Sequence, residues 1–111
     1  MVLEIKSTEQ FREIVNGDNP VIVDFTASWC GPCKSIAPIY NKLGMQYEQF
    51  VIAVKIDVDT HEDIAAECEV TAMPTFVVFF KGVMTDLVMR GANESGLEQL
   101  FKDAKALTET S

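Results

Sequence analysis

Seven residues, Val21-Ile22-Val23-Asp24-Phe25-Thr26-Ala27, constrain this chain more than any others. Apart from Asp24 and Thr26 the run is apolar, the pattern of a central strand covered on both faces rather than one. Ser28 and Trp29 follow, then Cys30-Gly31-Pro32-Cys33-Lys34, and from Ile36 to Phe50 the apolar residues recur at helical spacing. Two cysteines in a C-x-x-C spacing therefore stand where a buried strand hands over to a helix. The first turn of a helix has unpaired N–H groups and the positive end of the dipole. A thiolate at that place is stabilised over its thiol, which lowers its pKa and raises its reactivity at neutral pH. Cys30 occupies that end. Cys33 follows about one turn later, close enough to close a small disulfide ring. Pro32 suits a first helical position, with no N–H to leave unpaired and φ already helical. Trp29 sets a large flat ring beside the sulfur.

The rest of the chain alternates in the same way. Val2 to Lys6 reads as a short edge strand. Ser7 with Gln10 is a helix-start signal, and Phe11, Ile14 and Val15 give that helix one apolar face, ended by Gly17 before the Asp18-Asn19-Pro20 turn. In the helix after Cys30 the buried side is Ile36, Ile39, Tyr40, Leu43 and Tyr47, and Pro38 predicts a kink near 34–38. Val51 to Val58 is a strand with Ile52, Val54, Ile56 and Val58 on one face. Asp59, with Glu62 three residues on, reads as the cap of a helix whose inner face carries Ile64 and Cys68. Thr75 to Phe80 and Val83 to Arg90, joined at Lys81-Gly82, form a hairpin. After the Gly91-Ala92-Asn93 turn, a last helix buries Leu97, Leu100, Phe101, Ala104 and Leu107, leaving Thr108 to Ser111 as a polar tail. The order βαβαβαββα predicts an α/β fold of one domain, 1–111: a central mixed sheet with helices on both faces.

Nine basic against seventeen acidic residues give a net charge of −8. With the basic residues scattered, neither nucleic acid nor an anionic membrane is an expected partner. No apolar run approaches the ~20 residues that cross a bilayer, and Met1 to Lys6 is too short and charged for a secretory signal. Three cysteines are an odd number, unlike a disulfide-stapled secreted scaffold, so a reducing, cytoplasmic setting is expected. Taken alone, C-x-x-C fits half of a zinc site, a structural bridge or a redox pair.

The longer run Val-Asp-Phe-Thr-Ala-Ser-Trp-Cys-Gly-Pro-Cys-Lys, residues 23–34, resembles the active-site segment of the thioredoxin family, the type case of a C-x-x-C redox motif. The resemblance covers essentially the whole chain and implies the thioredoxin fold. It implies a protein-disulfide reductase in which Cys30 is the nucleophile and Cys33 the resolving thiol, cycling through a Cys30–Cys33 disulfide. It implies no bound cofactor: the chain lacks a Gly-rich dinucleotide fingerprint, so electrons from NADPH would arrive through a separate thioredoxin reductase. Disulfide-containing proteins such as peroxiredoxins would be substrates, and the protein a monomer. Two further features are departures from common family patterns: Thr26 stands where bacterial members often have Trp, and Ala72 where some animal members have Cys.

Individual residues have competing readings. A four-ligand zinc site would need two more ligands near one another, and only Cys68 and His61, both on a later helix, are on offer, so no metal is expected. Asp24 could be a hydrogen-bonded buried carboxylate or turn to solvent; buried without partners, it would have a raised pKa and exchange protons near neutrality. The resemblance makes it the base for Cys33, through water. Lys55 could be a solvent-facing, snorkelling lysine; the resemblance puts its ammonium near Asp24. Met73-Pro74-Thr75 resembles the family's cis-proline loop, which faces the cysteine pair and whose Met73 backbone would pair with an extended substrate segment. Gly91 and Ala92 would complete that contact surface with Trp29, and Gly31 and Pro32 support the cysteine ring. Cys68 reads as a core cysteine and His61 as an exposed first-turn residue. The Gly-Pro dipeptide between the cysteines resembles reductases rather than isomerases. A subunit role without redox chemistry is the other class of function.

Overall fold

The computed structural model describes residues 1–110. Its elements follow the expected order: β1 (Val2–Glu4), α1 (Thr8–Val15), β2 (Val21–Thr26), α2 (Gly31–Gln46), β3 (Ile52–Asp57), α3 (Glu62–Glu67), β4 (Thr75–Phe80), β5 (Val83–Arg90) and α4 (Glu94–Thr110). The strands form one sheet in the order β1-β3-β2-β4-β5. β3 is parallel to both β1 and β2, whereas β4 is antiparallel to β2 and to β5. The apolar run at 21–25 is the middle strand, buried along its length. Its side chains alternate between two cores, as a period of two requires. Val21, Val23 and Phe25 join Phe11 and Val15 of α1, Ile64 of α3 and Cys68, the residue that caps the end of α3. Ile22 joins Ile36, Tyr40 and Leu43 of α2 and Leu97 and Phe101 of α4.

Local chemistry accounts for the boundaries. Ser7 accepts the Gln10 N–H at 3.1 Å and caps α1, while Gln10 Oε1 accepts the Lys6 N–H at 2.6 Å. In the hairpin turn Lys81 and Gly82 both have positive φ, 52° and 82°. A side chain on Gly82 would also collide with Asn16 Oδ1. Asn93 accepts the Gly96 N–H at 2.8 Å at the start of α4.

Three expected boundaries and one expected buried face differ. β1 ends at Glu4, before the Lys6–Gln10 bond turns the chain. α2 ends at Gln46 rather than Phe50, because Phe50 and Val51 both donate to Tyr47 O and swing Val51 into the core, 1% exposed. On β3, Val54 and Ile56 are buried, but Ile52, at the strand's end, is exposed. The expected polar tail is helical as far as Thr110, with Thr108 Oγ1 donating to Lys105 O at 2.7 Å; Ser111 lies outside the described residues.

Tyr40 ties α2 to the sheet. Its ring is 1% exposed, packed against Phe76 and Phe101. The hydroxyl lies 2.6 Å from Val54 O on β3 and 3.0 Å from Ile22 O on β2. Tyr40→Phe keeps the ring and removes the donor, and is expected to cost about 1–2 kcal/mol in chemical denaturation. An unchanged unfolding midpoint would mean that the bond contributes nothing.

Candidate active site

The chain leaves β2 at Thr26, and Cys30 N–H donates to Ala27 O at 3.1 Å, so the loop is a single tight turn. Cys30 is the N-cap of α2, with extended backbone (φ −91°, ψ 109°), and its sulfur accepts the Cys33 N–H at 3.2 Å. A sulfur thus takes the place usually held by a Ser or Asp oxygen. The two cysteines are joined as a disulfide, with Cα atoms 5.3 Å apart, inside the normal range. Each is only 4% exposed, packed with Ala27 against Val58 and Met73. Pro32 is the second helical residue rather than the first, a place where an N–H would equally lack a helical partner. Gly31 has open space around it and no positive φ, so packing does not demand glycine there.

A rim of mixed exposure borders the buried sulfurs: Trp29, Gly91 and Ala92 are exposed, Met73 is half-buried, and Pro74 and Thr75 are buried. Met73 O lies 3.7 Å from Cys30 Sγ, and the Met73–Pro74 peptide is cis, as the resemblance implied. Thr75 Oγ1 donates to Ala72 O at 2.6 Å, and Gly91 N–H donates to Pro74 O at 2.9 Å, so Gly91 and its neighbour Ala92 stand beside the proline loop. Gly91 has φ 92°, which favours glycine. Trp29 is 65% exposed, and its indole N–H donates to Asp59 Oδ2 at 2.8 Å.

That bond corrects one expectation. Asp59 does not cap α3: its carboxylate holds Trp29, and its own N–H donates to Asp57 Oδ1 at 2.8 Å. The cap residue is His61, which makes no side-chain capping bond. His61 is also buried, 9% exposed, rather than exposed as its first-turn position suggested. Its N–H donates to Asp57 O at 3.0 Å, which draws it inward. Asp59 was missed as a site residue because helix-capping chemistry and indole binding ask for the same residue type.

Asp24 lies on the α2 face of β2, two residues beyond Ile22 and 5% exposed. Its Oδ1 is buried and has no hydrogen-bond partner among the described residues. Burial pushes the carboxyl up to about 7, against a smaller opposing effect of Lys55. Lys55 is directly opposite Asp24 on β3, so it is both solvent-exposed and close enough to act on the carboxyl. Asp24, Lys55 and Cys33 line one cavity of about 250 Å³, together with Lys34, Asp57 and Glu4. Cys68 is buried and unbonded, its thiol pushed up to about 11 mainly by burial. That keeps it protonated and unreactive, in line with a core role. Among the described residues, no three His, Cys, Asp or Glu side chains are grouped as metal ligands.

The thioredoxin family model matches residues 2–103. The chain belongs to the thioredoxin family. It is 46% identical to horse thioredoxin over 104 residues, 92% of this chain and 97% of the horse protein. Among solved structures it resembles Malassezia sympodialis thioredoxin, with TM-score 0.89 and 39% identity over 94% of this chain and 93% of that one. It also matches a chain from work on thiol resolution of yeast mitochondrial 1-Cys peroxiredoxin through the glutathione/thioredoxin systems, with TM-score 0.84 and 41% identity, covering 92% and 94% of the two chains. Thioredoxins are disulfide oxidoreductases, and Cys30–Cys33 occupies the active-site position, where dithiol–disulfide exchange takes place. No described helix is long and apolar enough to cross a membrane.

The buried carboxyl gives a pH-dependent stability. Folding raises the Asp24 pKa, so the folded state binds that proton more tightly than the unfolded chain. Raising the pH therefore disfavours folding, from the unfolded value of ~4 until the folded value of about 7 is passed. The stability of Asp24→Asn relative to wild type, both oxidised, is expected to grow by roughly 2–4 kcal/mol between pH 4 and pH 8 in urea titrations. A difference that does not change with pH would contradict the assignment.

Proposed function

We propose that this protein is a general protein-disulfide reductase of the cytoplasm, a monomer re-reduced by an NADPH-dependent thioredoxin reductase. The observation that carries the reading is the cysteine pair at the start of α2, with Cys30 Sγ accepting the Cys33 N–H and Cys33 sharing a cavity with Asp24. The same N–H and the helix dipole stabilise negative charge on Cys30 once the disulfide is opened, which suits it as the attacking thiolate. The thiolate attacks one sulfur of a substrate disulfide. A Cys30–substrate bond forms, the substrate S–S bond breaks, and the departing sulfur takes a proton. Cys33 then gives its proton to Asp24 through water and attacks Cys30 Sγ. The mixed disulfide breaks, the second substrate sulfur leaves, and two electrons have passed to the substrate. A carboxyl titrating at about 7 can accept and release that proton near neutral pH. Returning to the dithiol takes two electrons from outside, the role given to the reductase.

The rim of Trp29, Met73, Thr75, Gly91 and Ala92 is the proposed substrate contact, with Gly31, Pro32, Lys55 and Pro74 in support. An extended substrate segment would pair with the Met73 backbone as an added strand. Peroxiredoxins are proposed substrates, supported by the yeast neighbour's peroxiredoxin context. A reducing compartment suits the unpaired Cys68 thiol.

Cys33→Ser is expected to accumulate covalent adducts through Cys30 with disulfide substrates, seen as added mass under non-reducing conditions. Their absence with every disulfide tested would sink the assignment of roles. Asp24→Asn is expected to slow resolution of the mixed disulfide by 10²-fold or more in stopped flow, on the order of what one general base contributes. Equal rates would remove Asp24 from the mechanism.

A further inference from the structure

Three charged residues stand in one row across the sheet. Glu4 of β1 is directly opposite Lys55 of β3, and Lys55 is directly opposite Asp24 of β2. Alternation puts all three on the α2 face, two residues beyond Val2, Ala53 and Ile22, which pack into the core on that side. All three line the cavity that also reaches Cys33. The row runs from the edge of the sheet to its centre: the Glu4 side chain is 48% exposed, whereas Asp24 is 5% exposed.

Lys55 is the shared cation of the row and is committed to neither acid. Among the described residues it has no ion pair within 4.0 Å, and Asp24 Oδ1 has no hydrogen-bond partner. The two acids offer it unequal terms. The Glu4 side chain keeps much of its contact with water, whereas an ionised Asp24 must give up water. We propose that Glu4 is a positioning residue: its carboxylate competes with Asp24 for the Lys55 ammonium and so keeps Asp24 able to hold a proton at neutral pH. This role rests on the reading of Asp24 as the base for Cys33.

The other groups around Asp24 have fixed places. From α2, Tyr40 is hydrogen-bonded to Ile22 O and Val54 O, its hydroxyl held protonated by burial, and Lys34 lines the same cavity as Asp24. Asp57 of β3 lines it as well, and β4 sets the apolar Phe76 opposite Asp24. On the outside, Lys6 Nζ is 3.5 Å from Glu4 Oε1. Lys55 also borders a second cavity, where Glu48 is engaged by the chain's amino group at 3.3 Å. Glu4 is therefore the acid of the row that can be removed without disturbing a buried contact.

The test is the titration of the Asp24 carboxyl carbon, followed by NMR in the oxidised protein. Glu4→Gln frees Lys55 for Asp24 and is expected to lower the Asp24 midpoint, by about 0.3–0.5 pH unit at low ionic strength. In a Lys55→Gln background the same substitution is expected to shift it by less than half as much, and Glu4→Asp is expected to leave the wild-type midpoint in place. An unchanged midpoint in Glu4→Gln, or a shift at least half retained without Lys55, would overturn the proposal. The readout is the carboxyl itself, so this failure is separable from a failure of Asp24 as base, which appears in the Asp24→Asn resolution rate.

Discussion

β2 is hydrogen-bonded along both edges and covered on both faces, and every other element takes its place from that burial. β3 and β4 close its edges in opposite directions, which makes the sheet mixed. α1 with α3 covers one face, and α2 with α4 the other. A strand so enclosed must be apolar, and its single carboxyl, Asp24, has nowhere to turn but the cavity beneath α2. The same enclosure delivers the cysteines, because the chain leaves the strand's end and enters a helix whose first N–H groups need acceptors.

Two features of the site bear on the proposed chemistry: a buried carboxyl, Asp24, that shares a cavity with Cys33, and a sulfur, Cys30, that caps α2. Burial keeps Asp24 near its proton at neutral pH, while the helix start favours the thiolate at Cys30. In the proposed mechanism the carboxyl is held toward its neutral form and the opened Cys30 sulfur toward its charged form, which pairs an acid–base partner with a nucleophile. Lys55 and Glu4 lie at the solvent side of this arrangement, on strands that a two-residue period aligns with Asp24.

The parts of the fold that were legible in the sequence are those where one residue type has one physical use. The run at 21–25 can only be a central strand, the Lys81-Gly82 step can only be a tight turn between strands, and Ser7 before Phe11 starts a helix. Where a residue type serves two ends, sequence reasoning took the commoner. Asp59 looked like a helix cap but binds the Trp29 indole, and His61 looked exposed but is drawn inward through its backbone. Thr108 looked like a tail but bonds back to its own helix. The cysteine pair and Asp24 were legible because a motif and a broken apolar pattern coincide there. The cis peptide at Met73–Pro74 came from family resemblance alone, since nothing in residue chemistry distinguishes it. The Glu4–Lys55–Asp24 row was not legible, because it depends on the register of three strands that are far apart in sequence.

The central claim is that the pair at the start of α2 passes electrons from a reductase to protein disulfides. It is tested most directly by NADPH-coupled reduction of insulin with an added thioredoxin reductase. The account predicts steady NADPH consumption with wild type and none with Cys30→Ser. No consumption by wild-type protein, with a Cys30–Cys33 pair that still exchanges with glutathione, would contradict it.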